Sequence, residues 1–219
     1  MPIAVLVSGR GSNLQALLDA TRGSASGRIA LVISDRKDAG ALGVARAAGV
    51  AAEWVPVDGR ESDLMLELLA RHRIGLVVLA GYLKRVGERV VAAYRGRMVN
   101  VHPALLPAFG GPGMYGHRVH EAVLRSGARL SGATVHLVDE QYDHGPVLAQ
   151  WPVPVRPGDS ADTLAARVLA VEHRLLPAVV LACCARLLAG VEPAALSAGA
   201  DAFATSSTVP DLSHALVPA

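Results

Sequence analysis

Apolar and polar positions along the chain alternate between two periods. Ile3-Ala4-Val5-Leu6-Val7 is a continuous apolar run of buried-strand length, after which Leu14, Leu17 and Leu18 take up helical spacing. Residues 29–33 read as a second buried strand, closed by Ser34-Asp35-Arg36. Residues 42–48 read as a helix ended by Gly49. A short strand over 52–57 follows, then a helix opened by Arg60-Glu61-Ser62-Asp63 and running to His72, then a buried strand over 76–80. Met98-Val99-Asn100-Val101-His102 is another strand pattern, which Pro103 stops because it has no N–H to give the ladder. Residues 117–124 have helical spacing, and 132–138 and 147–153 read as strands. Asp159-Ser160-Ala161-Asp162 caps a long helix to Leu188, in which Pro177 predicts a kink or break. There is no internal repeat.

Strands alternating with helices argue for an α/β fold, a Rossmann-like, doubly wound and mostly parallel sheet with helices on both faces. In such sheets ligands sit beyond the carboxyl ends of the strands, near a switch in strand order. The loops after Val7, Ala80 and Val101 are then expected to border one crevice. From Gly190 the sequence turns Ala-, Ser- and Pro-rich with few large apolar residues. The expected organisation is one domain over 1–188 and a tail over 189–219 that is mobile and adds little to the core.

Composition narrows the class. At 219 residues the chain suits one α/β domain, and its 52% hydrophobic content with only 4% aromatic suits close packing of helices on a sheet. A net charge of +2 does not argue for nucleic acid or an anionic membrane as partner. No apolar run reaches the roughly 18 residues of a transmembrane helix, and the start lacks the basic segment of a signal peptide. Cys183 and Cys184 are adjacent within a helical pattern and read as core thiols. A cytoplasmic protein is expected, as monomer or homodimer.

Three stretches carry chemistry. Ser8-Gly9-Arg10-Gly11-Ser12-Asn13 joins a strand to a helix, where free backbone N–H groups and the helix dipole meet an anion. Gly9 and Gly11 permit positive φ, and Ser12 and Asn13 add donors. The loop is neither a Walker loop nor a GxGxxG, which favours a simple phosphate ester over a triphosphate or dinucleotide. A plain β–α turn with a good N-cap is the other reading. Asp35 falls where dinucleotide folds place a ribose-binding acid, but the preceding loop is wrong for that role. Asn100 and His102 project from one face at a strand end, a pairing that carbonyl chemistry can use, although such a pair also serves as a structural staple. Asp139-Glu140-Gln141-Tyr142-Asp143-His144 concentrates acids in a short loop, and Asp and Gly are also plain turn formers.

No nucleophile elbow is present, so the chemistry suggested is direct transfer between two bound substrates. Asn100 donating to a developing oxyanion contributes roughly 3–4 kcal/mol in comparable sites. His102 either shares that task or passes a proton, and Asp143 raises its pKa or holds a water relay. His117 and His120 share a helix face at i,i+3 but lack a third ligand in a recognised spacing, so no metal is expected and a solvent-facing or loop-bracing role is favoured.

The glycine loop, the stretch Asn100-Val101-His102-Pro103-Ala104-Leu105-Leu106-Pro107, and Gly132-Ala133-Thr134-Val135-His136 with Asp143-x-Gly145-Pro146 resemble the glycinamide ribonucleotide formyltransferase family of folate-dependent enzymes. The resemblance covers about residues 1–188 in order and spacing. It implies the formyltransferase fold and transfer of a formyl group from 10-formyltetrahydrofolate to the amine of 5′-phosphoribosylglycinamide in purine biosynthesis. By position, Asn100, His102 and Asp143 are then catalytic. Gly11, Ser12 and Asn13 hold the ribotide phosphate, and Glu172 contacts its ribose or glycinamide part. Arg60, Leu83, Lys84, Arg85 and Val86, with Asp139 and the loop to Asp143, line the folate pocket. Gly81 and Tyr82 border the crossing point of the two substrates.

Two departures from the family pattern stand out. The loop 108–116 is longer than the usual short Pro-Gly turn, which puts its substrate contacts in question. Lys84 stands where arginine is common, keeping the charge but losing the planar fork. Related readings are methionyl-tRNA formyltransferase, disfavoured by a tail sparse in Lys and Arg, and formyltetrahydrofolate hydrolase, disfavoured because the sheet begins at Ile3. A catalytically idle phosphate binder on the same scaffold is the reading from a different class.

Overall fold

The computed structural model describes residues 1–194; the tail beyond lies outside the described residues. Seven strands, β1 (Pro2–Val7), β2 (Arg28–Ser34), β3 (Ala51–Trp54), β4 (Leu76–Leu79), β5 (Met98–His102), β6 (Leu130–Leu137) and β7 (Val147–Pro154), form one sheet in the order β3-β2-β1-β4-β5-β6-β7. The pairs from β3 through β5 are parallel, while β6 runs antiparallel to both β5 and β7. The helices are α1 (Ser12–Thr21), α2 (Gly40–Ala47), α3 (Glu61–Arg71), α4 (Glu88–Ala93), α5 (His117–Ser126) and α6 (Ala161–Leu188). This is the doubly wound α/β sheet that the alternating periods predict.

Burial on both faces explains the continuous apolar strands. Ile3, Val5 and Val7 face one core, which includes Leu14, Leu17, Leu164, Val168 and Leu176 from α1 and α6. Ala4 and Leu6 face the other, which includes Met65, Leu69 and Val90 from α3 and α4. Strand order reverses between β1 and β4, because the chain winds outward through β2 and β3 before returning to β4. That reversal opens a crevice at the carboxyl ends of the central strands.

Helix ends follow local chemistry. Gly49, at φ 71°, closes α2 with Gly49 N–H donating to Arg46 O and Val50 N–H to Ala45 O. A capping box starts α6, where Ser160 Oγ accepts from Thr163 N–H and Thr163 Oγ1 accepts from Ser160 N–H.

Some expectations are corrected. Pro177 does not break α6, which continues to Leu188. Leu175, Leu176, Val179 and Val180 around it are buried, and that packing outweighs the missing hydrogen bond. α6 is also apolar and long enough by composition to cross a membrane, although no unbroken apolar run announces it; half of that stretch is buried within the fold. The sequence reading leaves 88–93 unassigned, and there α4, six residues long, is too short to show a helical period.

Candidate functional site

The expected loops converge. A cavity of about 500 Å³ is lined by Arg10 and Asn13 after β1, by the segment from Gly81 to Val86 after β4, by Asn100, His102 and Pro103 from β5, and by the acidic loop from Asp139 to Asp143. Glu172 and Leu169 of α6 and His117 and His120 of α5 complete its far wall.

At one end is the start of α1. Gly11 sits at φ 93° as its N-cap, and no side chain caps the helix. The first amides are therefore left without a side-chain acceptor, as an anion site requires. A Cβ at Gly11 would lie 2.8 Å from Ala41 Cα, so the residue also lets α2 approach. Gly9 is not among the glycines with positive φ. Its flexibility is not what shapes the turn. Gly11 and Ser12 sit beside the cavity without lining it, whereas Asn13 and Arg10 do. Asn13 Nδ2 donates to Glu172 Oε2 at 2.7 Å, and Asn13 Oδ1 is buried without a partner. Burial pushes the Glu172 carboxyl up to about 7 despite this donor.

At the centre, antiparallel register places Asn100 opposite His136 and His102 opposite Thr134. Asn100 and His102 thus share one strand face with Met98. His136 Nδ1 lies 2.8 Å from Leu137 O and gives it its proton, so in the neutral ring Nε2 accepts from Asn100 Nδ2 at 3.0 Å. Asp143 reaches both histidines, with Oδ2 3.4 Å from His102 Nδ1 and Oδ1 3.6 Å from His136 Nε2. His102 Nε2–H donates to Phe109 O at 2.8 Å. Burial lowers the His102 pKa, outweighing the opposing pull of Asp143 and of the Phe109 carbonyl. Asp143 does pull this pKa upward, but the imidazole is almost fully enclosed, and desolvation disfavours its charged form more than one carboxylate restores it. Burial raises the Asp143 carboxyl, but His136 and His102, when protonated, and the Gly111 amide outweigh it and hold it below the usual range.

The long loop 108–116 has a structural task here. Phe109 supplies the carbonyl that fixes His102, and Gly111 N–H donates to Asp143 Oδ2 at 2.9 Å. Gly110 must lack a side chain, because a Cβ there would lie 2.5 Å from Leu106 Cδ2 and 3.1 Å from Asp143 Cβ. Behind the pair, Thr134 Oγ1 donates to Ala104 O and accepts from Leu106 N–H.

At the other end, Leu83, Lys84, Arg85 and Val86 line the cavity, as does Asp139. Arg85 is engaged by Glu88 and by the carbonyl of Glu140, tying this segment to the acidic loop. Asp139 accepts from Gln141 N–H and pairs with His144 at 2.8 Å. Arg60 is not brought to the site: it is an exposed residue at the start of α3, paired with Asp58 two residues away. The loop before α3 holds this residue on the surface.

His120 is 4% exposed and its pKa falls to about 4, chiefly through burial. Of the two roles expected, solvent-facing or loop-bracing, the first is overturned, because the apolar stripe of α5 turns the ring inward with Val119 and Val123. His117 stays exposed and pairs with Asp162 at 2.9 Å. Among the described residues no group of three or more His, Cys, Asp or Glu is arranged to hold a metal ion. No role for Arg10 or His136 is read from residue order alone. For His136 a signal existed, since Thr134-x-His136 repeats the two-residue spacing of Asn100-x-His102 on the neighbouring strand.

The fold is a doubly wound sheet whose crevice joins an uncapped helix start to an Asn–His–Asp cluster. The chain belongs to the formyl transferase family, which it matches over residues 1–180. It is 44% identical over 189 residues to the chloroplastic phosphoribosylglycinamide formyltransferase of Arabidopsis thaliana, covering 83% of this chain and 65% of that protein. It is 39% identical to the phosphoribosylglycinamide formyltransferase of Escherichia coli, covering 82% of this chain and 85% of the relative. The crystal structure of glycinamide ribonucleotide transformylase 1 from Symbiobacterium toebii superimposes with a TM-score of 0.76 at 41% identity, covering 82% and 85% of the two chains. The chain thus spans just under two thirds of the Arabidopsis relative's own length.

Proposed function

We propose that this protein transfers the formyl group of 10-formyltetrahydrofolate to the glycinamide amine of 5′-phosphoribosylglycinamide, a step of purine biosynthesis. The observation that supports it is that Asn100, His102 and Asp143 line the same cavity as Asn13 of α1 and the segment from Leu83 to Val86. The phosphate binds the amides of Gly11, Ser12 and Asn13, and Glu172 takes the ribose or glycinamide part. The folate lies against Leu83, Lys84, Arg85, Val86 and Asp139. Arg60, exposed and paired with Asp58, lies outside the lining of this cavity.

The amine attacks the formyl carbon, the bond to the folate nitrogen breaks, and one amine proton is moved to that nitrogen. Asn100 has one amide N–H committed to His136, which leaves the other to donate to the formyl oxygen as negative charge develops. Phe109 O takes the Nε2–H of His102, which leaves Nδ1, 3.4 Å from Asp143 Oδ2, as the acceptor, so His102 and Asp143 are assigned to the proton. Holding both reactants in one cavity supplies much of the remaining acceleration. The protein acts in the cytoplasm as a monomer or homodimer, on small molecules, without nucleic acid, membrane or metal.

The test is an assay of the purified protein with both compounds. Formylation of the ribotide amine is the expected result. Hydrolysis of the formylfolate at the same rate without the amine would indicate a hydrolase, and no turnover with either would sink the assignment.

A further inference from the structure

Asp35 stands at the end of β2, where a dinucleotide fold places its ribose-binding acid, and the proposed reaction leaves it without a task. The structure gives it one. Ser8, one residue past β1 and 1% exposed, donates its hydroxyl to Asp35 Oδ1 at 2.5 Å. The same hydroxyl oxygen accepts the backbone N–H of Leu83 at 2.9 Å, and Ser8 N–H donates to Gly81 O at 3.1 Å. Neither Ser8 nor Asp35 lines the cavity, but Gly81, Tyr82 and Leu83 all do, as do Arg10 and Asn13 two and five residues beyond Ser8.

The chemistry of this chain of bonds is directional. A serine hydroxyl has one proton and can donate or accept toward several partners. A carboxylate is an acceptor only, so Asp35 draws the Ser8 proton toward itself and leaves the oxygen lone pairs for Leu83. The segment after β4 has no ladder or helix to hold its amides, so a buried acceptor there decides where its backbone lies. Asp35 also acts on Tyr82, where burial first, then the charges of Asp35 and Glu61, push the phenol well above its ordinary value and keep it protonated.

We propose that Asp35 and Ser8 are positioning residues for the transfer reaction: the carboxylate orients the hydroxyl, and the hydroxyl fixes the Leu83 amide, so that the folate-side wall is held in register with the glycine loop. This rests on the formyl-transfer reading. It also explains why an acid at this strand end accompanies a loop that does not fit a dinucleotide.

Steady-state kinetics with each substrate varied, alongside thermal midpoints, tests it. Ser8→Ala and Asp35→Ala are expected to lower kcat/KM for 10-formyltetrahydrofolate about tenfold, the scale of one lost hydrogen bond, while the KM for the ribotide stays within about twofold. Asp35→Asn keeps an acceptor for Ser8 and should return most of the loss. If Ser8→Ala folds poorly, Asp35→Ala and Asp35→Asn carry the test. An active parent with folate kinetics unchanged in both Asp35 variants would overturn the positioning role, as would equal losses for both substrates that track a lowered midpoint. An inactive parent would instead overturn the formyl-transfer reading.

Discussion

Asn100 donates its side-chain amide to His136 Nε2 at 3.0 Å, directly across the antiparallel junction of β5 and β6. The ring nitrogen can accept because His136 spends its proton on Leu137 O, 2.8 Å away. One relationship therefore fixes the orientation of Asn100 and leaves its second N–H aimed at the cavity. Asn100→Ala removes that donor and should lower kcat by roughly 10²–10³-fold. The KM for the ribotide should stay within about threefold, which single-turnover and steady-state measurements together will show.

The loop 108–116 holds His102 and Asp143 in place, and Gly110 is its tightest point. Gly110→Ala would drive a methyl into Leu106 and toward Asp143. The loop must shift, moving the Phe109 carbonyl from His102 and the Gly111 amide from Asp143. Overpacking of this kind costs about 1–3 kcal/mol of stability, read from denaturant unfolding. The kcat should fall at least about tenfold, because small misplacements of catalytic groups are expensive.

His102 titrates below the ordinary histidine range, through burial, with Asp143 pulling the other way. Asp143→Asn removes the pull, so an NMR titration of the His102 ring should show its pKa fall further. The limb of kcat/KM that reports His102 should move to lower pH with it. A rise would mean that Asp143 does not face this ring in solution.

Glu172 predicts a pH dependence of stability. Its carboxyl is raised by burial to about 7 from an ordinary 4.5. The folded state then binds the proton more tightly than the unfolded state, so this stabilisation is fully present below pH 4.5 and is lost as pH rises through 7. The shift corresponds to about 3 kcal/mol across that window. Glu172→Gln should remove this component, giving a flatter stability profile between these pH values in urea unfolding.

The capping box of α6 offers a check on local energetics. Ser160→Ala deletes the acceptor for Thr163 N–H and should cost about 1 kcal/mol without altering kcat, since Ser160 lies outside the cavity.

Sequence by itself determined the sheet, most helices and the identity of the central cluster. β1 and β4 are apolar without interruption because both faces of a parallel sheet are covered, and such a run is legible from residues alone. Asn100 and His102 are legible as a pair because the period of a strand is two. The glycine loop is legible because strand, glycine and helix follow each other in the chain.

Tertiary structure decided what depends on distance between remote residues. Nothing in residue order puts Asp35 against Ser8, or sets His136 in register with Asn100; sheet order and pairing do that. Arg60 matched by position, yet a salt bridge to Asp58 holds it on the surface. The sign of the His102 shift could not be read either, because it is a contest between burial and one carboxylate. Pro177 follows the same logic. Its local penalty is written in the sequence, but the packing that overrides it exists only once α6 lies on the sheet.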